Sequence, residues 1–474
     1  MKERYRLDVL LLLFCFVASR VTIKLVGVTF GYNALFEYWQ YLDVGSLKTN
    51  LLQSLWYQHS QPPVFNLLLG IILKVSGNYN LYVIKFLFLA TSFCNATLLL
   101  SILSRILRDS KIPLIFSLLY LLSPATMLFE NELFYTTFIS LLLLLAVNFM
   151  FMPGLKQSWR HLAGMFAALS LVCLTRSMYH LMWLLITTAI IIYYYRKNSV
   201  RKVLLMAFLS IILAGGLYVK NAIVFGNFSA SSWVGMNFSR IVFHNKQLTG
   251  SNSIASLPPF MPVSYYKKFL LDDNKKKYAG KNDRNLLMET KNDRYINMNN
   301  VGYLEISKIY LAAGLEEVSK HPASYLKNAC TAFIIFFTPA STYFKVTENE
   351  KRIRYYDMIY SFNPAPLFTG RDAKKLSLAI AAIPKFIFYV FTFFVMIREG
   401  FRSRSISLLN VFIIFTILFS AIVSSLLDYG ENMRFRYEIE PLFLILAAQA
   451  IVLFKSGKRN IAVSDAYGKG VIVL

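Results

Sequence analysis

The sequence is poor in charged residues and in the residues that carry most of the chemistry of soluble enzymes. Only 16% of its 474 residues are charged, while 56% are hydrophobic. Its four cysteines all lie inside apolar runs and it has five histidines, so neither a disulfide framework nor a histidine-rich metal site is expected. It has no phosphate-binding glycine loop and no GxSxG, HExxH or CxxC motif. This composition excludes an ordinary soluble domain and indicates an all-α polytopic membrane protein.

Acidic residues are scarce relative to basic ones. The chain has 25 Asp and Glu against 50 Lys and Arg, a formal net charge of +25. On a membrane chain such an excess predicts cytoplasmic loops and contacts with anionic lipids, and it makes nucleic acid the poorer choice of partner. Residues 1–28 have a basic start and a long apolar body without a small-residue cleavage site. They are therefore predicted to be a retained first span.

Ten apolar stretches come close to the roughly 20 residues that a spanning helix needs. They are 7–28, 81–104, 112–126, 133–152, 162–176, 178–195, 203–220, 376–397, 406–427 and 437–454. Two further apolar runs, 63–76 and 329–340, are too short to be secure.

Short basic clusters decide the topology, because such clusters mark cytoplasmic loops. They are Lys2/Arg4/Arg6, Arg105/Arg108/Lys111, Lys156/Arg160, Arg196/Lys197/Arg201/Lys202, Arg398/Arg402/Arg404 and Lys455/Lys458/Arg459. If all are cytoplasmic, an even number of spans separates neighbouring clusters, so the two short runs should not cross. The prediction is about ten crossings with both termini inside.

Three regions follow from this topology. Residues 1–220 form a transmembrane catalytic module with a first outer loop at 29–80. Residues 221–375 form an outward-facing loop domain with juxtamembrane helices at about 302–320 and 322–337. Residues 376–474 supply the last spanning helices and a short cytoplasmic tail.

The first outer loop gathers acids, aromatic residues and a histidine. Glu37 and Asp43 follow the first span, and a carboxylate held against aromatic rings could serve as a general base for a hydroxyl. The alternative is an ordinary interfacial helix with solvated acids. His59 and Gln61 precede Pro62-Pro63, which marks a helix start where phosphate oxygens are favoured.

Five further charged positions fall on the predicted outer side. Glu130 and Glu132 could hold a divalent cation or sugar hydroxyls, or could compensate the dipole of the next helix. Cations there oppose the positive-inside trend, so Arg176 and the pair Arg434/Arg436 are candidates for binding phosphate. The alternative for these arginines is snorkelling, or pairing with Glu431, Glu438 and Glu440.

The order of these motifs resembles the GT-C glycosyltransferases, in the bacterial branch of the protein O-mannosyltransferases and the lipid A aminoarabinose transferase. The motifs are an acid after the first span, HSQPPVFN, acids after Ser-Pro, the TRS turn, KNxxxFGNF and RFRYEIEP. The resemblance covers roughly residues 1–240 and 428–454, and the segment 241–375 matches no known pattern.

The resemblance implies an inverting enzyme on the outer face of a bacterial inner membrane. Its donor would be a sugar on a polyprenyl phosphate, and its acceptor a glycan, lipid or protein hydroxyl. Glu37 or Asp43 would be the base, and His59 and the arginines at 176, 434 and 436 would neutralise the lipid phosphate. Glu130 or Glu132 would bind the sugar or a metal ion. That metal ion would be a divalent cation, the one inorganic cofactor expected.

Two other functions remain open from the sequence. A transporter or flippase for lipid-linked saccharides would use the same outward cavity, but it should carry charges along its pathway within the spans. The span centres here are apolar, which favours an enzyme. A structural membrane subunit would leave the polar residues of the outer side without a role.

Overall fold

The architecture was analysed in a computed structural model, which describes residues 2–108, 110–150, 158–197, 200–244, 254–270, 277–292, 294–368, 370–404 and 406–455. The described chain is almost entirely helical. Its α-helices are Lys2–Leu25, Ala34–Glu37, Val44–Thr49, Leu51–Trp56, Val64–Val75, Asn80–Ile106, Ile112–Leu122, Pro124–Phe129, Thr136–Met150, Trp159–Thr175, Leu181–Tyr195, Val200–Phe225, Val234–Val242, Asp283–Leu286, Gly302–Lys320, Pro322–Phe337, Thr347–Arg352, Arg354–Tyr360, Arg371–Ser403, Leu408–Leu427 and Asn432–Lys455. The strands Thr290–Lys291 and Tyr295–Ile296 form one antiparallel hairpin.

Each of the ten predicted spans coincides with a helix. In the part of the chain that the structure describes, five helical stretches are long and apolar enough to cross a membrane: Gly77–Ile106, Val200–Phe225, Leu376–Ser403, Leu408–Leu427 and Asn432–Lys455. Five further apolar helices have 10–17 residues. The chain is thus an all-α membrane protein, while the count of ten crossings stays a prediction. The basic residues Lys156, Lys458 and Arg459 and the predicted tail lie outside the described residues.

The last helix, Asn432–Lys455, occupies the centre of the bundle. It packs against Leu408–Leu427, Thr136–Met150, Pro322–Phe337 and Arg371–Ser403. Its polar first turns are as buried as its apolar half. The last helix contacts Pro322–Phe337 and Ala340–Thr342 of the segment 221–375. Two of the predicted phosphate ligands, Arg434 and Arg436, are therefore held inside the protein.

The short helix Val64–Val75 packs against two other helices of the first outer loop. Its 12 residues span about 18 Å at the usual rise, less than the roughly 30 Å of a hydrocarbon core. It lies against Val44–Thr49 and Leu51–Trp56. A Cβ at Gly70 would come within 2.3 Å of the Leu51 side chain, so glycine permits this close packing.

The described parts of the segment 221–375 are folded, although its sequence showed little apolar periodicity. It contains Gly302–Lys320 and Pro322–Phe337, which coincide with the two predicted juxtamembrane helices. The helix Val234–Val242 packs on Gly302–Lys320 at Gly235, where a Cβ would meet the Ser307 carbonyl oxygen at 1.8 Å. Buried asparagine amides at 297, 299 and 300 bind main-chain carbonyls nearby. These hydrogen bonds and a buried apolar cluster that includes Tyr266, Tyr303 and Tyr310 together fold this stretch.

Candidate functional site

A cavity of about 560 Å³ lies where the last helix meets the first loop and the segment 221–375. We call it the arginine cavity. Its polar wall consists of Gln61, Tyr135, Arg176, Arg240, Asp428, Glu431 and Arg434, its aromatic wall of Trp39, Phe228, Trp233 and Phe260, and its apolar wall of Leu181, Met182, Leu185, Val423 and Leu427. Polar groups that converge in a largely apolar cavity are typical of a ligand site.

Arg176 and Arg434 place two guanidinium groups beside one aromatic ring. The Arg176 Cζ lies 4.2 Å and the Arg434 Cζ 5.2 Å from the ring centroid of Phe435. Arg176 pairs with the buried Glu438, and Arg434 Nη2 donates to Glu431 Oε2 over 2.6 Å. Among the described residues, Nε and Nη1 of Arg434 find no hydrogen-bond acceptor although both are buried. Donors of this kind fit the oxygens of a phosphate.

A line of alternating charges continues from Arg434 along the same wall. Arg240 Nη1 lies 3.4 Å from Glu431 Oε1 and 3.2 Å from Asp428 Oδ1. Burial raises the pKa of Glu431, but the neighbouring Arg434 and Arg240 outweigh it and leave that pKa below its usual value. Burial raises the pKa of Asp428 against the opposing effect of Arg240. The wall thus holds one firmly ionised acid and one that protonates more readily.

The aromatic wall comes from two separate parts of the chain. Trp39 of the first loop stacks on Phe260, with ring centroids 5.2 Å apart and planes 9° apart. Trp233 meets the same Phe260 ring edge-on at 5.6 Å. Phe260 adopts φ of +69°, a conformation that costs energy for a residue with a side chain. The 37% exposed Trp39 leaves indole surface available to a sugar or lipid.

Three of the nine predicted site residues, Gln61, Arg176 and Arg434, line this cavity together. Gln61 is buried, and its Oε1 accepts a 3.4 Å hydrogen bond from Ser177, the residue after Arg176. The TRS turn and the residue before Pro62-Pro63 are therefore neighbours in space.

The two predicted bases lie elsewhere, in the contact between the first loop and the segment 221–375. Asp43 caps Val44–Thr49 by accepting from Ser46 N at 3.0 Å. It also accepts from Asn292 N at 3.1 Å and pairs with Arg284 at 2.7 Å. Glu37 is half-buried and accepts a 3.3 Å hydrogen bond from the Tyr295 hydroxyl. Neither carboxylate lines the arginine cavity.

His59 is buried behind the cavity. Its Nδ1 lies 2.9 Å from Ser232 Oγ, its backbone N–H donates to Asn299 over 2.9 Å, and its ring packs edge-on against Phe225. Burial, with a further contribution from Lys220, lowers the pKa of His59 to about 3. The imidazole is therefore neutral at physiological pH and cannot supply the positive charge predicted for it.

The acids of the second predicted outer loop face two different partners. Glu130 is fully buried and forms a bidentate pair with Arg20. Glu132 accepts a hydrogen bond from the Tyr38 hydroxyl, and burial raises the pKa of Glu132 to about 7. The two side chains therefore do not converge on one ligand. In the described ranges no group of three or more His, Cys, Asp and Glu side chains is placed to hold a metal ion, so the divalent cation stays a prediction.

Arg436 points away from the cavity. It donates to the Phe336 carbonyl oxygen over 2.9 Å and pairs with Glu440 one turn along its own helix. These contacts attach the last helix to Pro322–Phe337. A single residue, Phe435, therefore separates the cavity arginine Arg434 from Arg436, which holds helices together.

Sequence reasoning missed two important charged residues. Arg240 lies in an outward segment without a recognisable pattern, and its signal was only a cation near a tryptophan on the predicted outer side. Arg20 lies inside the predicted first span, and the sequence showed only an arginine within that span. Its acidic partner, Glu130, lies 110 residues further along the chain. Asp428 fell within the predicted outer loop 428–436 but was not singled out.

Comparison with known proteins gave one likeness. No family model matches the chain, and no curated protein matches it. Among solved structures the chain is similar to the crystal structure of ArnT from Cupriavidus metallidurans in the apo state, with a TM-score of 0.31 and 12% identity over 92% of this chain and 77% of that chain.

Proposed function

We propose that this chain is a membrane glycosyltransferase that moves a sugar, with inversion, from a polyprenyl-phosphate donor to an acceptor hydroxyl on the outer face of a bacterial inner membrane. The observation that carries the proposal is the position of Arg176 and Arg434, two buried guanidinium groups beside one ring at the wall of a 560 Å³ cavity. Arg434 also keeps two buried N–H donors without an acceptor among the described residues.

The chemistry of the donor matches the three walls. A polyprenyl chain fits the apolar wall, which includes the exposed side chains of Met182 and Leu185. The phosphate would lie at Arg434 and Arg176, since guanidinium forks bind phosphate oxygens bidentately. The sugar would then reach the aromatic wall at Trp39. In this largely apolar cavity, the arginines would stabilise the charge that develops on the departing lipid phosphate.

Transfer from radiolabelled polyprenyl-phosphate sugars in proteoliposomes tests the proposal. Arg434→Lys and Arg176→Lys keep the charge but lose the fork, so we expect each to lower kcat/KM for the donor by about 10-fold or more. Arg294→Lys is the matched control, because Arg294 is exposed on the segment 221–375 and does not line the cavity.

The outcome also separates the proposed enzyme from the alternative transporter. When donor and acceptor are both on the same side of a sealed bilayer, an enzyme consumes the donor and releases lipid phosphate. If labelled lipid only exchanges between leaflets and no glycosidic bond forms with any acceptor, the chain is a flippase and the transferase proposal is wrong.

A further inference from the structure

Asp428 occupies the end of the charged wall farthest along the ion-pair chain from Arg434. Its Oδ1 accepts from Tyr429 N at 2.7 Å and lies 3.2 Å from Arg240 Nη1. Among the residues that the structure describes, no hydrogen bond to Oδ2 is seen. The side chain is 13% exposed and is one of those that line the arginine cavity.

The other acids near the site are held in ion pairs, and Glu438, whose Oε2 accepts no hydrogen bond among the described residues, does not line the cavity. Glu431 is held between Arg434 and Arg240, and Glu438 pairs with Arg176. Asp43 is held by Arg284 and two main-chain N–H groups, outside the cavity. An acid acts as a base on a hydroxyl only within hydrogen-bond reach of its proton. Asp428 alone among these acids combines a place on the cavity wall with a carboxylate oxygen that accepts no hydrogen bond in the described chain.

We propose that Asp428 is the general base of the transfer reaction. This inference rests on the proposed function. The acceptor oxygen forms a bond to the anomeric carbon, and its proton passes to Asp428 Oδ2. The bond between that carbon and the phosphate oxygen breaks, and its electron pair leaves with the polyprenyl phosphate. Along the ion-pair chain, Glu431 and Arg240 stand between Asp428 and Arg434. Inversion requires that the acceptor attack the face of the sugar opposite the phosphate.

The charge count of the wall supports this assignment. Arg176, Arg240 and Arg434 face Asp428, Glu431 and Glu438, so the formal charge is balanced before reaction. When Asp428 takes the proton, one arginine charge is no longer balanced. At the same moment the leaving phosphate changes from a diester to a monoester and gains one negative charge. Proton transfer to Asp428 therefore supplies the compensating positive charge within the same cavity.

Azide rescue tests the proposal, because azide attacks the anomeric carbon without a proton to remove. Asp428→Ala and Asp428→Asn should lower transfer to a hydroxyl acceptor by about 100-fold or more. Added azide should restore release of lipid phosphate in Asp428→Ala, with a glycosyl azide as the product. Glu348→Gln is the control, since Glu348 is 85% exposed and remote from the cavity. Thermal unfolding in detergent confirms that each variant is folded.

Three results would overturn the inference. Normal hydroxyl transfer by Asp428→Asn shows that another group takes the proton. Loss of transfer without any glycosyl azide shows that Asp428 supports the fold or donor binding instead. If the wild-type protein releases no lipid phosphate from any polyprenyl-phosphate sugar, the proposed function itself fails, and the assignment of Asp428 fails with it.

Discussion

Arg20 in the first helix and Glu130 in the second predicted outer loop form a two-pronged ion pair. Nε and Nη2 of Arg20 each donate to one oxygen of Glu130, both over 2.7 Å. The third nitrogen, Nη1, donates to the Leu121 carbonyl oxygen at 2.9 Å. Glu130 is fully buried and Arg20 is nearly so. The pair therefore fastens the helix Lys2–Leu25 to the loop before Thr136–Met150.

Removing one partner of this pair should lower the free energy of unfolding far more than removing both partners. Arg20→Met or Glu130→Leu leaves one buried charge without its partner, for which we expect a loss of about 3–5 kcal/mol in the free energy of unfolding. The double variant removes both charges and should recover most of that loss. Thermal unfolding of the purified protein in detergent measures all three. If the double variant is no more stable than the single ones, the pair does not act as a unit.

The helices were largely predictable because a spanning helix needs little more than length and apolarity. The limits of Gly302–Lys320 and Pro322–Phe337 were likewise close to those predicted. Arg176 and Arg434 could be selected from the sequence for a different reason. A cation on the predicted outer side of a membrane protein opposes the positive-inside trend and therefore needs a partner.

The remaining contacts left no periodic signal in the sequence. Lys291 is buried by donating to the carbonyl oxygens of Tyr38 and Tyr41, 250 residues or more away. Arg240 meets Asp428 through a fold that no local pattern encodes. The structure also separates Glu130 from Glu132, two residues apart, because the chain reverses between helices there. Tertiary contacts decide which polar residues share a site.

Glu132 should make the protein less stable as the pH rises towards 8. Burial raises the pKa of Glu132 to about 7, above its value of 4.5 when unfolded. The folded protein therefore binds the extra proton more tightly, and the resulting stabilisation is complete below pH 4.5 and lost as the pH rises through 7. Glu132→Gln keeps an acceptor for the Tyr38 hydroxyl and removes this dependence.

Melting temperatures from pH 5 to pH 8 test the prediction for Glu132. The increase in the free energy of unfolding that Glu132→Gln brings should be small at pH 5 and reach on the order of 2 kcal/mol at pH 8. Glu348→Gln, at an exposed position, is the comparison. A gain that is the same at both pH values would show that Glu132 does not titrate in this range.

His59 should have the opposite pH dependence. Its folded pKa of about 3 lies below the unfolded value of 6.5, because the buried ring excludes a proton that the unfolded chain accepts. Stability from this residue is present above pH 6.5 and falls as the pH is lowered towards 3. His59→Asn, which can still meet Ser232, should flatten the decline in melting temperature between pH 6.5 and pH 5. His321→Gln, at a side chain 56% exposed, should leave that decline unchanged.

Asp43 should support the fold rather than the chemistry. Its carboxylate caps Val44–Thr49 and holds Asn292 and Arg284 of the facing segment. Asp43→Asn keeps one acceptor oxygen, so it loses one of the two main-chain N–H hydrogen bonds as well as the charge pair with the half-exposed Arg284. We therefore expect a loss of stability of about 2 kcal/mol. The segment 277–300 should also be cut faster in limited proteolysis, because its attachment to the first loop is weaker.

The transfer rate of Asp43→Asn decides between this role and that of the base predicted from the sequence. With Asp428 as the base, Asp43→Asn and Glu37→Gln should both keep transfer within roughly threefold of the wild type, as substitutions away from reacting groups usually do. A folded Asp43→Asn or Glu37→Gln protein that loses transfer about 100-fold would instead make that first-loop acid the base. Such a result would require the first loop to move towards the arginine cavity when the donor binds, and donor-dependent protection of 277–300 from proteolysis would detect that movement.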